Sequence, residues 1–215
     1  MSFTDRAGPP LMDTETKAEM LDLGPVCREV AGLLDGVTDE HLTGPTPCPG
    51  YAVRDVLAHL VGLTTAFRDA AKKELGPTTD SSPDGGLPVL PADWREVLPR
   101  QLDEMAAAWR SPDAWQGHTR VGGVDLPGSV TGLVGLNEVQ IHGWDLARST
   151  DQPYAPDEAS LQASYALLAP PPEPADADSA SSNLFGPPVE VPEDAPLLDR
   201  VIGRSGRRPA WKPGE

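Results

Sequence analysis

Gly128-Ser-Val-Thr-Gly-Leu-Val-Gly-Leu-Asn-Glu-Val-Gln-Ile-His-Gly-Trp-Asp-Leu-Ala-Arg-Ser-Thr150 is the longest regular pattern in this chain of 215 residues. Val130, Leu133, Val134, Leu136, Val139, Ile141, Trp144 and Leu146 recur at helical steps, so the segment reads as a long core helix. A second pattern of comparable strength runs from Tyr51 to Phe67, where Val53, Val56, Leu57, Leu60, Leu63 and Phe67 form one apolar stripe. Two such helices need others to cover them, and the remaining sequence supplies candidates.

Met20, Leu23, Val26, Cys27, Val30, Leu33 and Leu34 also recur at three- and four-residue steps. Either this helix starts at Thr14 or Thr16 and kinks at Pro25, or Gly24-Pro25 marks its start; both keep Val26–Leu34 helical. A third helix is expected from Ala92 to about Arg110, with Pro99 as an interruption, and a short one from Asp157 through Ala169. Thr119 to Leu126 holds the only strand-like material, with a Gly122-Gly123 turn signal, and no sheet is expected from it. Thr43 to Gly50, with three prolines and two glycines in eight residues, is a constrained loop, and 76–91 is a second, unusually long connection. The fold class is therefore all-α. Residues 1–12 read as a flexible leader and 13–169 as the helical bundle. Residues 170–215 form a Pro-rich acidic connector with a basic end, packed on or wrapped around the bundle.

Composition mainly excludes. Asp and Glu number 33 against 17 Lys and Arg, a formal charge of −16, which leaves no basic face for nucleic acid or an anionic membrane. No apolar run approaches the ~20 residues of a membrane span, and the N-terminus lacks a signal-peptide core. Two cysteines make no disulfide framework, so a cytoplasmic location is expected. Pro and Gly, 25 and 21 residues, make up about a fifth of the chain, and 170–199 concentrates eight prolines and seven acids with no Lys or Arg, as an extended connector does.

Four histidines can be weighed singly. His41 and His118 lie in polar segments without evident partners. His142 follows Glu138 by four residues, which puts both on one helix face about 5–6 Å apart between Cβ atoms. The surrounding Val134, Gly135 and Ile141 are apolar, and a carboxylate buried there needs a cation, a proton or a hydrogen bond. A divalent metal would satisfy both side chains, and His59, in the middle of the second strong helix, is the candidate third ligand. One carboxylate and two imidazoles suit Zn²⁺, Ni²⁺, Fe²⁺ or Mn²⁺, and three protein ligands leave positions open for a substrate. The same spacing also serves as a plain salt link worth about 0.3–0.5 kcal/mol, and a single His59 serves equally as a core histidine bonded to a carbonyl. Asp145 is a candidate acceptor for a ligand imidazole, and serves equally as a cap or as the partner of an arginine. Cys27 and Cys48 read as packing residues, Cys48 for want of a charged partner nearby in sequence.

Pro45-Thr-Pro-Cys-Pro-Gly-Tyr-Ala-Val-Arg-Asp-Val-Leu-Ala-His-Leu-Val61 resembles the loop and second helix of the DinB-like metal-binding proteins. Within them it looks most like the branch of the N-terminal domain of mycothiol-dependent maleylpyruvate isomerase. Asn137-Glu-Val-Gln-Ile-His-Gly-Trp-Asp-Leu-Ala-Arg-Ser-Thr150 is similar to that branch's fourth-helix motif, and Phe185 to Arg200 to the tails of its short members. The resemblance spans roughly residues 14–202. Tyr51 stands where the family usually has Trp, and an acidic tail takes the place of the isomerase's separate C-terminal domain.

The resemblance implies an up-down-down-up four-helix bundle with a divalent metal, zinc first, on His59, Glu138 and His142. It implies a low-molecular-weight thiol such as mycothiol as co-substrate, a small-molecule substrate, and a monomer or homodimer without nucleic-acid or membrane partners. The leading expectation is a metal-dependent thiol transferase in which the metal trio is catalytic and Arg54 and Arg148 meet an anionic group of thiol or substrate. Both arginines equally suit salt bridges. The alternatives are a metal-assisted isomerase or hydrolase using metal-bound water, and a non-catalytic protein that binds a metal or small ligand.

Overall fold

The computed structural model describes residues 20–82, 86, 89–169 and 186–214. The expected leader 1–12, the candidate caps Thr14 and Thr16, and 170–185 of the acidic connector lie outside these residues. Among those described are helices α1 (Gly24–Leu33), α2 (Val53–Lys72), α3 (Pro77–Asp80), α4 (Trp94–Ala108), α5 (Gly128–Ser149), α6 (Glu158–Leu167) and α7 (Leu197–Arg204). The all-α reading holds, with one hairpin added: β1 (His118–Val121) pairs antiparallel with β2 (Val124–Pro127) across Gly122-Gly123.

Local chemistry places the helix ends. Pro25 sits in the first turn of α1, where its missing N–H costs nothing, so Gly24-Pro25 is a start and not a kink. Asp55, in the first turn of α2, reaches back to accept the Ala52 N–H at 2.9 Å. The side chain of Asp157 accepts the Ser160 N–H at 3.0 Å and so caps α6. α4 runs through Pro99 without ending there.

Helices α1, α2, α4 and α5 form the bundle, α2 and α1 each packing against both α4 and α5. Cross-helix bonds give the directions. Gln101 meets Thr65, and Arg68 meets Glu104, so α2 and α4 run parallel. His59 meets Glu138, and Phe67 lies against Gly135, so α2 and α5 run antiparallel. Arg110 pairs with Asp22 while Arg95 reaches Val37, so α1 opposes α4. The topology is up-down-down-up. Neighbouring parallel helices need a return run along the bundle, which is the physical reason for the long 76–91 connection.

The core gathers Leu57, Leu60, Phe67, Leu98, Leu102, Met105, Trp109, Leu136 and Val139, all buried. Gly135 admits Phe67 and Met105 to the α5 backbone, since a Cβ there would stand 2.7 Å from the Phe67 ring. The hairpin, too slight on sequence grounds to pair, is held by tertiary contact: the Thr119 hydroxyl donates to Ala70 O, buried, at 2.6 Å. A second cluster joins Ile141 and Trp144 of α5 to Val201 and Ile202 of α7, with Leu161, Tyr165 and Trp211 around them. The described part of the tail, 186–214, thus lies against α5 and α6. No described helix is long and apolar enough to cross a membrane.

Candidate metal centre

α2 brings His59, and α5 brings Glu138 and His142, to one place between the two helices. His59 Nε2 lies 3.2 Å from Glu138 Oε2, and His142 Nε2 lies 3.4 Å from the same oxygen. The two imidazole rings meet edge to face at 4.6 Å between centroids. One donor atom from each of the three residues falls within 4.8 Å of the others. A tetrahedral ion bonded to N and O at about 2.05 Å holds its donors about 3.3 Å apart, and the two imidazole-to-carboxylate separations match that spacing.

The surroundings are unequal. The His142 side chain is 6% exposed and that of His59 29%. Behind His142, its Nδ1 lies 3.0 Å from Asp145 Oδ2, fully buried one turn further along α5. Burial disfavours the charged form of Glu138, but hydrogen bonds and charge from His142 and His59 outweigh it and hold its carboxyl well below the usual range. Burial also opposes charge on His142, yet Asp145 and Glu138 on either side of the ring push its pKa up to about 9. Without a cation the cluster is therefore held by a proton on His142. A divalent ion bound here would replace that proton, which is the usual linkage of metal binding to proton release.

Arg54 and Arg148 do not join the cluster. Arg54 is exposed and stands 3.7 Å from Asp55. Arg148, expected to meet a ligand, instead donates to the main-chain oxygens of Trp211 at 2.8 Å and Pro209 at 3.5 Å, with Trp144 beneath it. Its position nearly three turns beyond Glu138 faces the tail. His41 accepts the Thr38 N–H at 3.1 Å, and His118 opens β1, exposed.

Two residues at the site escape a reading of the sequence. Cys48 does have charged neighbours: one donor atom each of Cys48, His142 and Asp145 lies within 4.8 Å of the others, and the charge of Arg207 also acts on the thiol. Burial foremost pushes this thiol up to about 11, and the constrained loop presents it at the foot of α2, where Thr46 Oγ1 donates to Cys48 O and Tyr51 O. Arg207 pairs with Asp145, Nη2 to Oδ2 at 3.0 Å. Tyr51 edges the open side, its ring 6.5 Å from that of His59.

An up-down-down-up bundle with a His, Glu, His set between its second and last long helices is a DinB-like four-helix bundle. The chain belongs to the family of the mycothiol maleylpyruvate isomerase N-terminal domain, whose model matches residues 23–147. A crystal structure of the mycothiol-dependent maleylpyruvate isomerase is similar with a TM-score of 0.54 and 22% identity, covering 70% of this chain and 68% of that one. A histidine-to-alanine variant of that enzyme gives 0.50 and 21% over the same shares. These likenesses carry the fold. Two uncharacterised proteins from strains of Mycobacterium tuberculosis are each 29% identical over 124 residues, 57% of this chain and 62% of theirs. The chain thus matches less than two thirds of the length of these curated relatives.

Proposed function

We propose that the protein is a divalent-metal-dependent thiol transferase, using a mycothiol-like thiol against a small electrophilic substrate. The observation that carries this reading is the convergence of His59, Glu138 and His142 at 3.2 and 3.4 Å on one carboxylate oxygen between α2 and α5. A purely structural core has no need of three polar donors at ligand spacing, whereas three protein ligands and an open side suit a site that exchanges its remaining ligands. Membership of a family named for a mycothiol-using enzyme supports the choice of thiol.

When bound, a divalent cation would acidify a coordinating thiol and hold it as the thiolate, the nucleophilic form. His59, Glu138 and His142 would hold the ion. Asp145 accepts from His142 Nδ1 and so turns Nε2 toward the centre. His59 and Tyr51 border the open side, where thiol and electrophile would meet. Arg54, exposed near the start of α2 beside Asp55, would meet an anionic group at the surface; Arg148 is assigned to holding the tail.

Purified protein should carry about one divalent ion per chain, as a single three-ligand site requires. Full metal content in His59→Ala and Glu138→Ala proteins would remove the site assignment. A metal-loaded protein that consumes no thiol across a panel of electrophiles would remove the transferase reading and leave metal binding standing.

A further inference from the structure

Arg207 is a charged side chain only 6% exposed, and it comes from the far end of the chain. Its Nε lies 3.3 Å from Asp145 Oδ1 and its Nη2 3.0 Å from Oδ2, a fork on one carboxylate, while Nη1 donates to Ser205 O at 3.0 Å. The Oδ2 that takes this bond is the same oxygen that faces His142 Nδ1 at 3.0 Å. A continuous line of polar contacts therefore runs Arg207, Asp145, His142, Glu138, His59.

The backbone of Arg207 is fixed as firmly as its side chain. α7 ends with Gly206 at φ +81°, its N–H bonded to Gly203 O at 3.0 Å, and Arg207 N–H bonded to Ile202 O at 3.1 Å. This is a Schellman termination, which needs the left-handed residue that glycine supplies. Val201 and Ile202 seat α7 on Ile141 and Trp144 of α5, the helix that carries Glu138 and His142. The Schellman turn, with Gly206 at its left-handed position, is the local device that aims the guanidinium at the carboxylate.

We propose that Arg207 is a positioning residue of the metal centre: by holding Asp145 as a carboxylate aimed at His142 Nδ1, it presents His142 Nε2 to the cation, and makes residues 186–214 part of the site. The inference rests on the metal reading of the trio. The physical ground is that Asp145 is fully buried. A buried carboxylate without the fork turns toward another partner, and that change frees the imidazole behind the ligand. With the fork in place both oxygens are engaged, Asp145 stays an acceptor, and the ring keeps its orientation and basicity. The rival account is a strut that merely ties the tail to the bundle.

Full-length Arg207→Met, Arg207→Lys and Ile202→Val proteins separate the two. Zinc affinity is read by chelator competition, and the His142 imidazole of metal-free protein by nitrogen-15 shifts. We expect Arg207→Met to bind zinc about 10–100-fold more weakly, the range for loss of a group behind a ligand, with Arg207→Lys between it and the parent. Ile202→Val, which loosens α7 without touching the fork, should leave zinc affinity unchanged. In an Asp145→Asn background Arg207→Met should cause no further loss. The His142 signal should shift in metal-free Arg207→Met and not in Ile202→Val. Folded Arg207→Met with parental zinc affinity and an unshifted His142 signal overturns the inference, as does an equal loss in Ile202→Val. A parent protein that binds no zinc removes the metal reading alone, and the metal-free His142 shifts still decide whether Arg207 positions the ring.

Discussion

The two imidazoles of the cluster are held in opposite ways. His142 lies almost wholly buried between two carboxylates, with Arg207 behind one of them. His59 touches Glu138, stands beside the ring of Tyr51 and is partly open to solvent. One side of the centre is a closed ionic network whose parts fix one another, and the other is a single side chain at a mouth. A site that must hold a metal yet exchange ligands needs both properties, and here they are assigned to different helices. The inner side then carries stability and geometry, and the outer side carries access.

Replacing the shared residue should have the largest effect. Glu138→Gln takes away the carboxylate that both imidazoles face, and zinc binding should fall below detection by calorimetry. In the metal-free protein the same change removes one of the two groups that raise His142, so its titration should move down from about 9. Retained zinc binding in this variant would break the comparison at its centre.

Asp145→Asn against His59→Ala tests the two sides directly. The Asp145→Asn change would leave Arg207 buried without its carboxylate, a loss on the order of 3–5 kcal/mol in denaturant unfolding. His59→Ala, at the open side, should cost less than about 1 kcal/mol while abolishing zinc binding. Equal destabilisation of the two would show that the sides are not energetically distinct.

The inner side should also give the metal-free protein a distinctive pH dependence. His142 titrates at about 9 when folded against 6.5 for the free side chain. A folded value above the unfolded one contributes stability that is complete below about 6.5 and is lost as pH rises through 9. Glu138 and Asp145 are shifted downward, so their contributions are already complete in that window and do not vary across it. The expected loss is on the order of 2–3 kcal/mol between about pH 6.5 and 9.5 in the presence of a chelator. With zinc bound the loss should largely vanish, because the metal-bound site would carry no proton on His142 to lose across that window. A flat chelated profile would show that His142 is not held charged.

Gly206→Ala acts on the inner side from a distance. Its φ of +81° is strained for alanine, and the new Cβ would stand 2.9 Å from the backbone of Gly186. A cost of about 1–2 kcal/mol is expected, with zinc affinity falling as Arg207 is displaced. Thermal unfolding and chelator competition on one preparation check both parts.

What can be read in the sequence follows the same division. Helical periodicity displays α2 and α5 because each buries one long face, and the i, i+4 spacing of Glu138 and His142 is a local signal. His59 is reachable because its helix is equally regular. Arg207 leaves no such mark, since its partner Asp145 is 62 positions away and it is one of several basic residues at the end of the tail. A signal is present in Leu197, Leu198, Val201 and Ile202 followed by Gly206, an apolar helical step ending in a glycine cap, but short helices of this kind form only on a surface that already exists. Cys48 looks partnerless in the sequence for the same reason: its neighbours come from α5 and the tail. The β hairpin depends on Thr119 meeting Ala70, which no four-residue strand reveals.

Cys48 gives the smallest and sharpest test. Its thiol is half-buried and held protonated to about pH 11, first by burial and then by Asp145, with Arg207 opposing. In the metal-free protein at neutral pH it is thus a packing group and a weak hydrogen-bond partner, close to His142 and Asp145. Cys48→Ser should change stability by less than about 1 kcal/mol. Zinc affinity should stay within about threefold of the parent, because the trio already supplies the three protein ligands of an exchangeable site. Iodoacetamide should react slowly with Cys48 in the metal-free protein, since little thiolate exists below about pH 9. If Cys48→Ser instead loses zinc as severely as His59→Ala, the thiol is a fourth ligand. The centre would then be closed on both sides, with no position left for an incoming thiol, and the transferase reading would fall together with the contrast between its two faces.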